Sequence, residues 1–253
     1  MTGKLTNIFL ILFITYVSFG LLLYVMQSSL LYFPTAAIKH SYDEITFSHK
    51  GVKIKATVLN RGMKKAIIYF GGNAELVIQN AAVFSTAFPD HTIYLVNYRG
   101  YGGSTGKPEE NAIYSDAVYI FDQIKPEYTE ISIIGRSLGS GVATLLASKR
   151  EINKLVLITP FDSIQNVAQQ HYPIYPMSLM LKDKYDSLSR VKSISAETLI
   201  IYAENDEVIN IRRTSRLIKE FPVSQVTVKM IKNAEHNSIS NYEEYYLFLR
   251  NFL

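Results

Sequence analysis

A serine hydroxyl becomes a useful nucleophile only when a base takes its proton and a carboxylate holds that base in the right tautomer. One serine in this chain, Ser137, stands where such partners could be used. The β-favouring run Ile131-Ser132-Ile133-Ile134 leads into Gly135-Arg136-Ser137-Leu138-Gly139, and the helix-compatible run Val142-Ala143-Thr144-Leu145-Leu146-Ala147 follows. Strand, sharp turn and helix make the setting in which a serine is held in a strained conformation with its hydroxyl exposed. The two flanking glycines are expected where helix and strands approach too closely for a Cβ.

Five histidines could supply the base: His40, His49, His91, His171 and His236. Three precede the elbow and His171 falls in a long stretch without strand character. Only His236 lies in a loop directly after the last strand-like run, Val226 to Ile231. The acid is expected in Ala203-Glu204-Asn205-Asp206-Glu207, which follows the strand-like run ending at Tyr202. Asp206 is favoured, with Glu204 and Glu207 read as solvated loop charges; Asp162, one strand earlier, is the competing acid. Serine, acid and histidine then follow in the chain order of an α/β-hydrolase, each after a strand. The interval of 69 residues from Ser137 to Asp206 is followed by 30 to His236, room for one helix and one strand.

These residues need a scaffold, and the remaining pattern supplies one. Tyr42 to Ser48 and Val52 to Leu59 read as strands around a turn at Lys50-Gly51. Residues 66–70, 92–96, 155–159 and 198–202 are short continuous apolar runs, the signature of strands buried on both faces. Helices are expected up to about Phe88, from Pro108-Glu109-Glu110 along the face Ile113, Ala117, Ile120, Phe121 and Ile124, over about 212–221, and from Asn241 to the end. The expected fold class is therefore α/β, with a mostly parallel central sheet, helices on both faces and a short insert at about 161–195.

Composition sets limits. The chain has 253 residues, 48% hydrophobic, enough for one large α/β domain. A net charge of +4 with scattered Lys and Arg argues against a nucleic-acid partner. There are no cysteines, which excludes disulfides, thiol catalysis and thiolate zinc sites. The glycine-rich loop 98–106 fits no phosphate-binding template, because Thr105 stands where the dinucleotide pattern needs glycine and Pro108 where a P-loop needs Ser or Thr. No cofactor and no metal are expected.

Asn7 to Met26 is almost wholly apolar, and no charge occurs from Leu5 to Ile38. Twenty helical residues rise about 30 Å, the hydrocarbon thickness of a bilayer. The run continues past the small residues Ser18 and Gly20, which suits an anchor better than a cleaved signal. The expected division is a transmembrane anchor over 1–28 and a hydrolase domain over 29–253, with the anchor contributing little to the chemical step. Lys4 precedes the span and the nearest basic residue beyond it is Lys39, which favours a domain outside the cytoplasm.

The soluble part of the chain resembles the small, N-terminally anchored α/β-hydrolases of the bud-emergence type. The resemblance rests on residues 27–34, Tyr69-Phe70-Gly71-Gly72-Asn73-Ala74-Glu75, residues 97–106, the elbow, Pro160-Phe161-Asp162-Ser163, His171-Tyr172-Pro173, Asn205-Asp206-Glu207-Val208 and Glu235-His236-Asn237. Gly71 departs from it, since that family usually carries histidine there. The resemblance implies hydrolysis of acyl esters or thioesters: Ser137 attacks, His236 serves as base and then acid, and Asp206 orients His236. It also implies an oxyanion hole from the backbone N–H groups of Asn73 and Leu138. The expected substrate is a small or lipid-like acyl compound. Two alternatives are a peptidase on the same fold, for which Asp162, Asp183 and Asp186 could receive a substrate amine, and a non-catalytic membrane-tethered interaction module.

Overall fold

The computed structural model describes residues 2–253, with side-chain environments from Lys4 onward. A single helix, α1 (Thr2–Leu31), precedes the sheet and is long and apolar enough to cross a membrane. It runs three residues past the expected boundary at 28. A hairpin follows, β1 (Asp43–His49) and β2 (Val52–Leu59), turning through Lys50 and Gly51, both at positive φ. That pair of left-handed residues is what a two-residue hairpin loop requires.

The remaining elements alternate: β3 (Lys65–Phe70), α2 (Ala81–Ala87), β4 (His91–Val96), α3 (Glu110–Ile124), β5 (Glu130–Arg136), α4 (Leu138–Lys149) and β6 (Lys154–Ile158). The insert then carries two short helices, α5 (Ile164–His171) and α6 (Met177–Met180), before β7 (Glu197–Ala203), α7 (Ile211–Ile218), β8 (Val226–Ile231) and α8 (Glu243–Phe252). The helix expected to reach Phe88 is split, with a 3-10 turn at Val77–Asn80 leading into α2.

Eight strands form one sheet in the order β1-β2-β4-β3-β5-β6-β7-β8. The hairpin and its junction with β4 are antiparallel; β4, β3, β5, β6, β7 and β8 are parallel neighbours. Alternate side chains enter opposite layers, as the period of a strand demands. Ile68 and Phe70 face the layer holding Ile113, Ala117 and Val142, while Ile67 and Tyr69 face Phe84, Tyr245 and Leu249.

The chain leaves β3 toward β4 on one side and returns to β5 on the other. Where winding reverses in this way, the loops at the carboxyl ends of the two strands diverge and leave a crevice. The loops that diverge here are Gly71-Gly72-Asn73 after β3 and the Ser137 turn after β5.

Candidate active site

Ser137 has φ 49° and ψ −115°, a conformation few side-chain-bearing residues adopt. It is held there from several sides. Its own N–H donates to the Ile158 carbonyl of β6 at 2.9 Å, and its carbonyl accepts from the Ser140 N–H and hydroxyl at 2.9 and 2.6 Å. A Cβ on Gly139 would run into the Phe70 carbonyl oxygen, and one on Gly135 would lie 2.6 Å from the Ala143 Cβ. Both glycines therefore let α4 close onto β3 and β5.

His236 and Asp206 arrive from loops after β8 and β7. The His236 Nε2 lies 2.9 Å from the Ser137 Oγ, and its Nδ1 lies 2.9 and 3.0 Å from the two Asp206 oxygens. An ionised carboxylate can only accept, so Nδ1 carries the proton and Nε2 accepts from the serine hydroxyl. The Val208 and Ile209 N–H groups donate to the Asp206 Oδ1 at 3.0 and 2.6 Å, fixing the carboxylate before the imidazole meets it. Both side chains are buried. Glu207 has a contact too: its carboxylate accepts from the His236 backbone N–H at 3.1 Å.

Asp162, the competing acid, is engaged elsewhere. It accepts from the Ser163 N–H at 2.8 Å and the Asn166 amide at 3.0 Å, and pairs with Arg213 at 3.2 Å. Burial nonetheless raises its pKa, outweighing these partners. Asp183 accepts from the Tyr32 hydroxyl and Asp186 from the Ser189 N–H. None of the three lines the cavity over Ser137.

Asn73 and Leu138 both line that cavity, and neither backbone N–H has an acceptor among the described residues. Two unpaired donors beside a serine are suited to a developing oxyanion. The Asn73 side chain anchors the same residue. Its oxygen accepts from the Phe33 N–H at 3.0 Å and the Tyr101 hydroxyl at 2.8 Å, and its amide donates to the Leu31 carbonyl at 2.6 Å.

Beneath the crevice, Glu75 accepts from the Gly72 N–H at 2.5 Å, the Tyr69 hydroxyl at 2.6 Å and the Asn80 amide at 2.7 Å. Arg136 lies 3.8 Å from Glu75 and directs a second nitrogen toward the His236 and Asn237 carbonyls at 3.5 and 3.4 Å. Burial opposes the Arg136 charge, but Glu75, Tyr69 and Tyr245 outweigh it and the guanidinium pKa is raised. Arg136, at the end of β5, thus links the loop after β3 by an ion pair to the loop after β8 by hydrogen bonds. Sequence reading missed this pair; its only signal was a charged residue inside the elbow and an acid closing the Gly-Gly-Asn loop.

The cavity encloses about 530 Å³, within the ordinary range for small-molecule sites. One wall comes from the insert, including Val167, Met177 and Met180; the other comes from α1, including Leu23, Tyr24 and Leu30. That second wall is unexpected in a separate anchor. With few exceptions its lining is apolar, which suits a hydrocarbon chain.

No protein-family model matches the chain. It is 30% identical over 223 residues to the uncharacterized protein Rv2307c of Mycobacterium tuberculosis, covering 80% of this chain and 78% of that one. It is 33% identical over 186 residues to the lysophosphatidylserine lipase ABHD12 of Gallus gallus, covering 62% of this chain and spanning 49% of the lipase. Among solved structures, the Pyrococcus furiosus esterase Pf2001 superposes with a TM-score of 0.69 at 18% identity, over 87% of this chain and 95% of the esterase. Strand order and this superposition show that the chain has the α/β-hydrolase fold.

Proposed function

We propose that the protein is a membrane-anchored serine hydrolase that cleaves acyl esters of lipid-like substrates, in the manner of the bud-emergence-type hydrolases. The observation that carries this reading is the 2.9 Å contact from Ser137 to His236, itself 2.9 Å from Asp206, at the floor of an apolar cavity walled partly by α1. The lysophosphatidylserine lipase relatives favour a monoacyl phospholipid as substrate.

In this mechanism Nε2 of His236 takes the Ser137 proton as Oγ adds to the ester carbonyl. The oxygen of the tetrahedral intermediate receives the N–H groups of Asn73 and Leu138. Collapse expels the alcohol, which takes the proton back from His236, and an acyl-enzyme remains. Water then repeats the cycle and releases the fatty acid. Asp206 stays ionised and stabilises the imidazolium while it exists.

Labelling with a fluorophosphonate, followed by a panel of acyl chain lengths, tests the reading. The parent is expected to be labelled at Ser137, and Ser137→Ala to lose both label and on the order of 10⁴- to 10⁶-fold in turnover. Labelling that survives the substitution overturns the assignment. The charge asymmetry about α1 supports a domain outside the cytoplasm. Protease added to intact cells should then remove the domain.

A further inference from the structure

The insert does more than roof the cavity. Its tip, residues 172–181, reads Tyr-Pro-Ile-Tyr-Pro-Met-Ser-Leu-Met-Leu and lies alongside α1 within the apolar run. The Tyr175 ring stacks on Tyr16, centroids 4.6 Å apart and planes 6° from parallel. The Tyr175 hydroxyl donates to the Tyr16 carbonyl at 3.0 Å, and the Tyr16 hydroxyl donates to the Ile174 carbonyl at 2.9 Å. Gly20 admits this approach, since a Cβ there would come within 3.0 Å of the Tyr175 ring. Tyr16 precedes Gln27 by eleven residues, so the tip reaches about 16 Å of helical rise back along the span.

Two features of the tip are at odds with a solvent-facing loop. Ile174 and Leu179 are exposed at 69% and 83%, as are Leu21 and Leu22 of α1 to a lesser degree. The backbone, although irregular, leaves no carbonyl open from Tyr172 to Ser178. The Gln169 amide donates to the Tyr172, Pro173 and Tyr175 carbonyls, Tyr16 to Ile174, and Lys184 to Ser178. Main-chain N–H groups close Pro176 and Met177. Water satisfies loop carbonyls without such help; hydrocarbon does not.

Polar groups gather at the other end of the contact. The Gln27 side chain accepts from the Lys182 N–H at 2.7 Å, and the Lys182 ammonium sits 4.8 Å above the Tyr24 ring. Tyrosine and a snorkelling lysine are what the headgroup level of a bilayer selects. The cavity opens at this second level and continues toward Ser137, bounded on one side by α1 from Leu23 to Leu31 and on the other by the insert.

We infer that the insert tip is embedded in the leaflet crossed by α1, and that the acyl chain passes from that leaflet along α1 to Ser137. The inference rests on the proposed hydrolase reading for its substrate but not for the position of the tip. The tested surface is a lipid one. A second copy of this chain over Ile174 and Leu179 is the competing occupant.

The absence of cysteine permits a direct test on the full chain in phosphatidylcholine vesicles. Fluorophores are placed at Leu179→Cys, at Leu10→Cys within α1 and at Val223→Cys on the distant domain surface, and quenched by spin-labelled lipid. Leu179→Cys is expected to quench like Leu10→Cys. Quenching no greater than at Val223→Cys overturns the inference, and a disulfide-linked dimer through Leu179→Cys assigns the tip to a second copy instead. In parallel, Leu179→Glu should lower hydrolysis of a vesicle-resident monoacyl lipid by on the order of tenfold. Turnover of a soluble acetyl ester and fluorophosphonate labelling should stay at parent level. Equal loss on both esters argues for general damage and against lateral entry. A parent that cleaves neither ester removes the hydrolase reading, while the quenching result still decides where the tip lies.

Discussion

The side-chain amide of Asn73 donates to the carbonyl of Leu31 at 2.6 Å, joining the loop beside Ser137 to the last residue of the apolar helix. The same side chain receives Phe33 and Tyr101, so three segments meet on one amide. Asn73→Ala keeps the backbone N–H but removes what orients it. The expected result is a fall in kcat of about tenfold or more with KM for a soluble ester little changed, because geometry rather than binding is lost. Tyr101→Phe, which removes one of these bonds, should cost less. A change in KM alone would mean that the amide serves the pocket wall instead.

Asp206→Asn and Asp162→Asn separate the two acids. An amide at 206 presents a donor where His236 needs an acceptor, so kcat is expected to drop by about 10⁴-fold with the fold intact. Asp162→Asn should leave turnover near that of the parent and act on melting temperature, since Asp162 meets Arg213 and not the imidazole. The assignment is reversed if Asp162→Asn proves the more damaging in steady-state kinetics.

Glu75→Ala strands the buried Arg136 charge and frees the Gly72 N–H and the Tyr69 hydroxyl. Breaking a buried pair on one side costs about 3 kcal/mol or more. Denaturant unfolding should register that loss, with Glu75→Gln recovering part of it because an amide oxygen still accepts. An unchanged midpoint in Glu75→Ala would show that Arg136 is held by other groups.

Removing residues 1–27 deletes Leu23, Tyr24 and Gln27 from the cavity wall but retains Leu31 for Asn73. A soluble, folded product is expected that turns over a short-chain ester near the parent rate. For a long-chain ester kcat/KM should fall by about tenfold or more, since the lost wall binds remote parts of the substrate. If both esters decline together, the helix supports the site as a whole; equal retention would deny it a role in chain selection.

Much of this architecture is legible along the chain because its signals are local. Buried parallel strands are continuous apolar runs, and 66–70 and 92–96 fall within one residue of β3 and β4. The elbow is a local pattern too, as the Ser137 backbone is dictated by residues on either side of it. Asp206 and His236 could be chosen by order, because a parallel sheet brings successive loops to the same edge whatever lies between them. Tertiary structure alone decided the rest. That Glu75 faces Arg136 across the reversal of winding at β3, or that Asn73 reaches the Leu31 carbonyl, depends on groups 61 and 42 residues apart meeting in space. The apolar run read correctly as a helix able to span a bilayer, yet hydropathy has no direction. Only packing against the insert could turn the last turns of α1 into a wall of the cavity over Ser137.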